Sequence, residues 1–135
     1  MRPVSVAIVG ATGAVGREML DILETRPWKI RELRLFASKR SVGRKLRFRG
    51  KPHVVDVLGP SSFKGCDVAL FDAATSVSKE WVPQAIREGT LVVDNSSAYR
   101  MDPKVPLVVP EVNGNKLSSR QRLLAGPNCV AVPLV

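Results

Sequence analysis

VSVAIVGATGAVGREML, residues 4–20, passes from an apolar run through three glycines into a helical pattern. Val4 to Val9 is rich in β-branched residues and almost continuously apolar, as a strand buried on both faces of a parallel sheet must be. Beyond the glycines, Val15, Met19, Ile22 and Leu23 recur at helical spacing opposite Arg17, Glu18, Asp21 and Glu24, and Arg26-Pro27 closes the helix. The predicted joint is strand, tight turn, helix. A joint of this kind presents unpaired main-chain N–H groups at a helix N-terminus, which is a ready seat for a phosphate.

Gly10, Gly13 and Gly16 are spaced G-x-x-G-x-x-G. A phosphate-binding turn needs a sharp reversal and a backbone that can approach a pyrophosphate with no side chain in between, and glycine supplies both. Gly10, Thr12, Gly13, Ala14, Val15 and Gly16 are therefore the candidate phosphate-binding loop. The spacing differs from the commoner G-x-G-x-x-G, but the strand before it and the helix after it are the setting that fingerprint requires. The competing reading is that the glycines only permit close packing of strand on helix.

Working outward, Leu33 to Ala37 reads as a second strand, which completes a βαβ unit. Leu46 and Phe48, then Val55 and Val57, alternate with polar residues around a Gly50-Lys51 turn and predict a hairpin or two short strands. Val68 to Phe71 is a further strand. A helix is expected over Ser78 to Glu88, its start set late because Pro83 belongs in a first turn, with Gly89 as its cap. Leu91 to Asp94 is a strand leading into a polar loop, Val105 to Val109 is extended between prolines, and Leu123 to Ala125 is a last short strand before a turn at Gly126-Pro127-Asn128. Alternating strands and helices predict an α/β, Rossmann-like, doubly wound and mostly parallel sheet with helices on both faces, as a single domain over residues 1–135.

At the end of the second strand an NAD site usually carries an acid for the ribose 2′-hydroxyl, whereas an NADP site carries small polar and basic residues. The sequence there is FASKRS, residues 36–41, with no acid. Ser38, Arg40 and Ser41 can hold a 2′-phosphate, Arg40 through charge-assisted hydrogen bonds, and the expected cofactor is NADP. The plain alternative for Arg40 is a surface arginine.

The formal charge of +9, from 21 basic and 12 acidic residues, attracts anions in general rather than one in particular. It is concentrated in KRSVGRKLRFRGK, residues 39–51, where a solvated edge hairpin and a phosphate contact are both open readings. That stretch lacks aromatic interleaving beyond Phe48, and the chain shows no helix-turn-helix or zinc pattern, so nucleic acid is not the expected partner. No apolar run reaches membrane-spanning length, and no signal peptide is evident, so a cytoplasmic protein without a membrane partner is expected. Two widely separated cysteines, Cys66 and Cys129, and one histidine, His53, argue against a disulfide framework and against a metal site.

GATGAVG (10–16), SKRS (38–41), DNSSAYRMDPKVPLVVPEVN (94–113) and GPNC (126–129) occur in order, and through them the chain resembles the N-terminal half of bacterial aspartate-semialdehyde dehydrogenase. That resemblance implies NADPH-dependent reductive dephosphorylation of β-aspartyl phosphate to aspartate β-semialdehyde, on the shared route to lysine, threonine and methionine. It implies that Cys129 is the nucleophile, with Asn128 and the Cys129 N–H stabilising the oxyanion. Arg100 would bind the phosphate of the small-molecule acyl phosphate, and Asn95, Ser96 and Ser97 would line the cofactor side. A thiolate at a helix N-terminus in basic surroundings has a lowered pKa, which suits such a nucleophile. Gly126 and the apolar residues Val130 to Val132 depart from the family pattern. Cys66, beside its strand, reads as a small buried hydrophobe.

The family's remaining catalytic residues lie downstream of the cysteine, so the chain is expected to be a truncated coenzyme-binding domain, binding NADP without turnover, from a protein that is a homo-oligomer at full length. Two rival readings remain: an N-acetyl-γ-glutamyl-phosphate reductase, whose glycine turn typically carries an aromatic residue where this chain has Ala14-Val15, and a non-catalytic dinucleotide-binding module.

Overall fold

The computed structural model describes residues 2–127. Among these, seven strands form one sheet: β1 (Val4–Val9), β2 (Ile30–Phe36), β3 (Lys45–Phe48), β4 (Lys51–Asp56), β5 (Val68–Phe71), β6 (Leu91–Asp94) and β7 (Leu123–Ala125). Their order is β3-β4-β2-β1-β5-β6-β7, with every neighbouring pair parallel except the β3–β4 hairpin. Helix α1 (Ala14–Thr25) connects β1 to β2 and α2 (Thr75–Arg87) connects β5 to β6. The short helix α3 (Pro110–Asn113) lies in the long excursion between β6 and β7.

Strand β1 is the centre of the sheet, and its residues from Ser5 to Val9 are all buried. Side chains of a strand alternate between faces, so Val6 and Ile8 join Leu20 and Leu23 of α1, while Ala7 and Val9 join Phe71, Val82, Ala85 and Val92 on the α2 side. The sheet is thus doubly wound, with a core on each face. The link from β4 to β5 crosses the α2 face without a helix. Phe63 fills the gap, fully buried between Phe36 and Phe71 with ring centroids 6.0 and 5.6 Å away.

Two expectations change. In α1 the buried face is Gly16, Leu20 and Leu23, whereas Val15 and Ile22 face solvent. The helix is rotated because Gly16 presses on the turn: a Cβ there would stand 2.1 Å from the Gly10 carbonyl oxygen. In α2, Pro83 sits inside the helix rather than in its first turn. The carbonyl deprived of a donor belongs to Lys79, an exposed residue, so the missing bond falls on the solvent side. Val105 to Val109, expected as an extended stretch between prolines, forms a bridge rather than a full strand. It touches the sheet through a single Leu107–Ala125 bridge, and Val108 N–H donates to Ala125.

Candidate functional site

Parallel strands end on one edge, and the loops after β1, β2, β5, β6 and β7 meet there. At the first of these, Gly10 has φ +91°, and a Cβ on it would lie 2.0 Å from the Asp72 carbonyl oxygen. Gly10 thus lets the loops after β1 and β5 touch through their backbones, and Gly16 lets α1 rest on the turn. Gly13 differs. It is exposed, in an ordinary extended conformation, and a Cβ would find only the Gly10 carbonyl at 3.4 Å. It occupies the N-cap of α1 without a side-chain cap, and the first turn of the helix contains no acid. First-turn N–H groups have no intrahelical acceptor, so those of Ala14, Val15 and Gly16 face an open approach over Gly13, a geometry that fits a phosphate.

The loop after β2 is tied to this turn. Thr12 Oγ1 donates to Ser41 Oγ at 3.3 Å, and the Gly10 and Ala11 N–H groups both donate to the Phe36 carbonyl. Ser41 is buried and holds the loop in place, while Arg40, on the 3-10 turn Lys39–Ser41, and Ser38, the N-cap of that turn, are exposed. Beside them lies a cleft of about 500 Å³ that the sequence did not reveal. Val9, Ala37, Leu58, Val77 and Trp81 give it apolar walls, and Ser38, Lys39 and Glu80 stand at its polar margin. Its residues come from four separate stretches of chain, so no local pattern marks it. An apolar cleft next to a phosphate seat is suited to a planar base.

Beyond β6, Asp94 is fully buried, and its carboxylate accepts from Ser78 Oγ (2.9 Å), Ser96 Oγ (2.8 Å) and Ser96 N–H (3.1 Å). Ser96 is therefore committed to shaping the loop. Asn95 donates from Nδ2 to Asp72 Oδ1 at 3.0 Å, and the hydroxyls of Thr75 and Ser97 lie 2.9 Å apart, so this loop is laced to the one after β5. Arg100 donates from Nε to the Gly126 carbonyl (2.7 Å) and from Nη2 to the Asn95 carbonyl (2.8 Å), which ties the loops after β6 and β7 together. A Cβ at Gly126 would come within 2.9 Å of Asn95 Oδ1, so glycine suits that turn. Tyr99, half-buried nearby, has its phenol held above the usual range by burial and then by the carboxylates of Asp94 and Asp102.

The structure thus gathers the glycine turn, Ser38 to Ser41, Asn95, Ser96 and Arg100 on one edge. Asn128 and Cys129 lie outside the described residues. Cys66 is at the opposite end of β5, buried, with its thiol donating to the Val68 carbonyl at 3.1 Å and pushed up to about 11 by burial. His53 is in the hairpin, edge-on to Phe48 at 6.0 Å and away from the site. No group of three or more metal-ligating side chains converges among the described residues, and none of the helices described is long and apolar enough to cross a membrane.

Residues 5–120 match the family described as semialdehyde dehydrogenase, NAD binding domain. An aspartate-semialdehyde dehydrogenase of Aquifex aeolicus is 52% identical over 133 residues, which cover 96% of this chain and 39% of that protein. Aspartate semialdehyde dehydrogenase II from Vibrio cholerae superposes with a TM-score of 0.93 at 40% identity, over 98% of this chain and 40% of that one. A structure of the same Vibrio enzyme complexed with ASA superposes with a TM-score of 0.92. The chain spans about two fifths of the length of such relatives. Sequence and fold agree, and the chain belongs to the semialdehyde dehydrogenase family, whose NAD-binding domain it carries.

Proposed function

We propose that the chain binds NADP across the carboxyl edge of its sheet, as the coenzyme domain of an aspartate-semialdehyde dehydrogenase that converts β-aspartyl phosphate to aspartate β-semialdehyde in the synthesis of lysine, threonine and methionine. The observation that carries the cofactor assignment is the uncapped helix N-terminus at Gly13, tied through Thr12 and Ser41 to a β2 end that bears Ser38 and Arg40 and no acid. In this reading the N–H groups of residues 14–16 hold the diphosphate, Arg40 and Ser38 hold the 2′-phosphate, and Asn95, steadied by Asp72, lies on the nicotinamide side.

The reaction needs a nucleophile, an anion seat and an oxyanion donor. The Cys129 thiolate attacks the acyl carbon, phosphate leaves, and a thioester remains, while Asn128 and the Cys129 N–H bear the charge of the tetrahedral oxygen. NADPH, held by the glycine turn, Ser38 and Arg40, would supply the hydride that reduces the thioester to the aldehyde and frees the thiolate. Arg100 keeps its Nη1 free of the two carbonyls it already serves and offers it to the substrate phosphate. The complex of the Vibrio cholerae relative with ASA accords with this substrate class. A reduced, cytoplasmic setting accords with the buried thiol of Cys66. Exposed Met101, Leu107 and Val112 offer apolar surface to a second copy in a homo-oligomer. Turnover by the 135 residues alone is not expected, since the relatives are more than twice as long.

Calorimetric titration with NADP and NAD tests the cofactor assignment. NADP should bind more tightly, and Arg40→Ala should weaken NADP by about tenfold to a hundredfold, as loss of a charge-assisted hydrogen bond does, with NAD unchanged. Equal affinity of the two nucleotides for the unmodified chain would refute it.

A further inference from the structure

The cleft beside Trp81 carries one acid, Glu80, and one cation, Lys39. Lys39 follows Ser38 directly and so stands at the end of the cleft assigned to the ribose and its 2′-phosphate. Glu80 comes from the opposite wall, helix α2, which also supplies Val77 and Trp81. Residues three and four apart share a helix face, so these three form one flank, with Trp81 packed against the core and Glu80 exposed at the rim. Helical side chains lean toward the N-terminus of their helix. The Glu80 carboxylate therefore leans over the Val77 turn, toward the end of the cleft lined by Ala73 and Ala74.

The helix itself gives this carboxylate no partner. Its neighbours at three and four residues' distance are Ser76, Val77, Pro83 and Gln84, none of them a cation. The ion pairs among the described residues belong to Arg2, Arg31 and Arg34. Glu80 also lies beyond the first turn of α2, where an acid would serve the helix dipole and where none is found. A carboxylate accepts hydrogen bonds and donates none, so at the rim of an apolar cleft it favours a base that presents a donor. An adenine held at the Ser38 end by its ribose turns its N6 amino group away from that end. Position 6 of hypoxanthine or guanine carries an oxygen instead, which only accepts.

We propose that Glu80 determines which base the cleft accepts: its carboxylate takes a hydrogen bond from the adenine N6 amino group while Trp81 offers its ring to the base, and 6-oxopurines are disfavoured. The proposal rests on the reading of the chain as an NADP-binding domain and deepens it, since neither the glycine turn nor Arg40 distinguishes one base from another.

NADP and nicotinamide hypoxanthine dinucleotide phosphate are the probes, because they differ only in the base, where oxygen replaces the N6 amino group. In calorimetric titration of the chain NADP should bind about tenfold more tightly, as a charge-assisted hydrogen bond provides. Glu80→Gln, whose amide can donate to the oxygen as well as accept from the amino group, should weaken NADP, tighten the hypoxanthine nucleotide and bring the two within about twofold. A merely structural role would weaken both alike. The chain has two tryptophans, so Trp28→Phe leaves Trp81 as the one reporter, and NADP should quench its fluorescence with the affinity found by calorimetry. Equal affinity of the unmodified chain for the two nucleotides, an unchanged preference in Glu80→Gln, or NADP binding that leaves Trp81 unquenched would each overturn the inference while the cofactor assignment stands. No saturable binding of NADP at all would overturn both.

Discussion

Replacing Gly16 and Gly13 by alanine, one at a time, should separate two roles that the glycine spacing merges. In Gly16→Ala the new methyl group would meet the Gly10 carbonyl oxygen at 2.1 Å and the Ala11 Cα at 2.9 Å, both backbone atoms that cannot rotate away. Helix α1 has to lift from the turn, and overpacking of this kind costs about 3 kcal/mol. Alanine returns about 1 kcal/mol through its greater helix propensity. The net loss of about 2 kcal/mol corresponds, at about 4 °C per kcal/mol for a domain of this size, to a fall in Tm on the order of 8 °C. Gly13→Ala meets nothing nearer than 3.4 Å, so its Tm should move by only about 2 °C, the cost of a poorer N-cap. Its methyl group, however, projects where a diphosphate would approach, and NADP affinity should drop by tenfold or more. Thermal unfolding by circular dichroism gives one half of the comparison and calorimetry the other. Unchanged NADP affinity in Gly13→Ala, or an unchanged Tm in Gly16→Ala, would refute the division of labour.

Cys66 has its thiol pushed up from 9.0 to about 11 by burial. The unfolded chain therefore loses this proton first as pH rises, so its contribution to stability is intact below pH 9 and declines through about pH 11; Cys66→Ser, followed in urea unfolding, should lessen that decline, and alkylation of the folded chain at pH 8 should spare Cys66. Asp67 is held below the usual carboxyl range, first by the buried Ser5 N–H at 2.8 Å and then by Arg2. Its stabilisation should be complete at neutral pH and fade as the solution is acidified below the ordinary carboxyl range. Asp67→Ala should cost about 1–3 kcal/mol in denaturant unfolding, the penalty of stranding a buried donor, whereas Arg2→Ala, at an exposed ion pair, should cost less than about 1 kcal/mol.

Where structure depends on neighbours in the chain, the sequence was a good guide. Strand β1, the glycine turn and the extent of α1 follow from the apolar run, the glycines and Arg26-Pro27, and they are found as expected. The hairpin, β5, β6 and β7 were equally legible from short β-rich runs bounded by turns. What escaped depends on contacts between distant segments. The rotation of α1 is set by Gly16 against Gly10, so Val15 and Ile22, apolar and correctly spaced, end up outside. Phe63 belongs to a polar-looking loop, yet it is a fully buried part of the core. The turns over Pro110–Asn113 and Gly114–Lys116 are too short for a period to show.

The candidate site divides in the same way. The glycine turn and the acid-free end of β2 can be read directly, because a phosphate seat is local backbone geometry. The apolar cleft with Trp81 cannot, since its walls are assembled by the sheet order. Nor does the sequence reveal that Ser41 and Ser96 have their hydroxyls turned inward, to Thr12 and Asp94, and so act by holding loops in position.

A crystal structure of the chain grown with NADP would show where the nucleotide sits. Diphosphate oxygens are expected within about 2.7–3.2 Å of the N–H groups of residues 14–16, the 2′-phosphate against Ser38 and Arg40, and the adenine in the cleft beside Trp81. A nucleotide seated at the amino edge of the sheet, with no phosphate at the Gly13 turn, would contradict this placement.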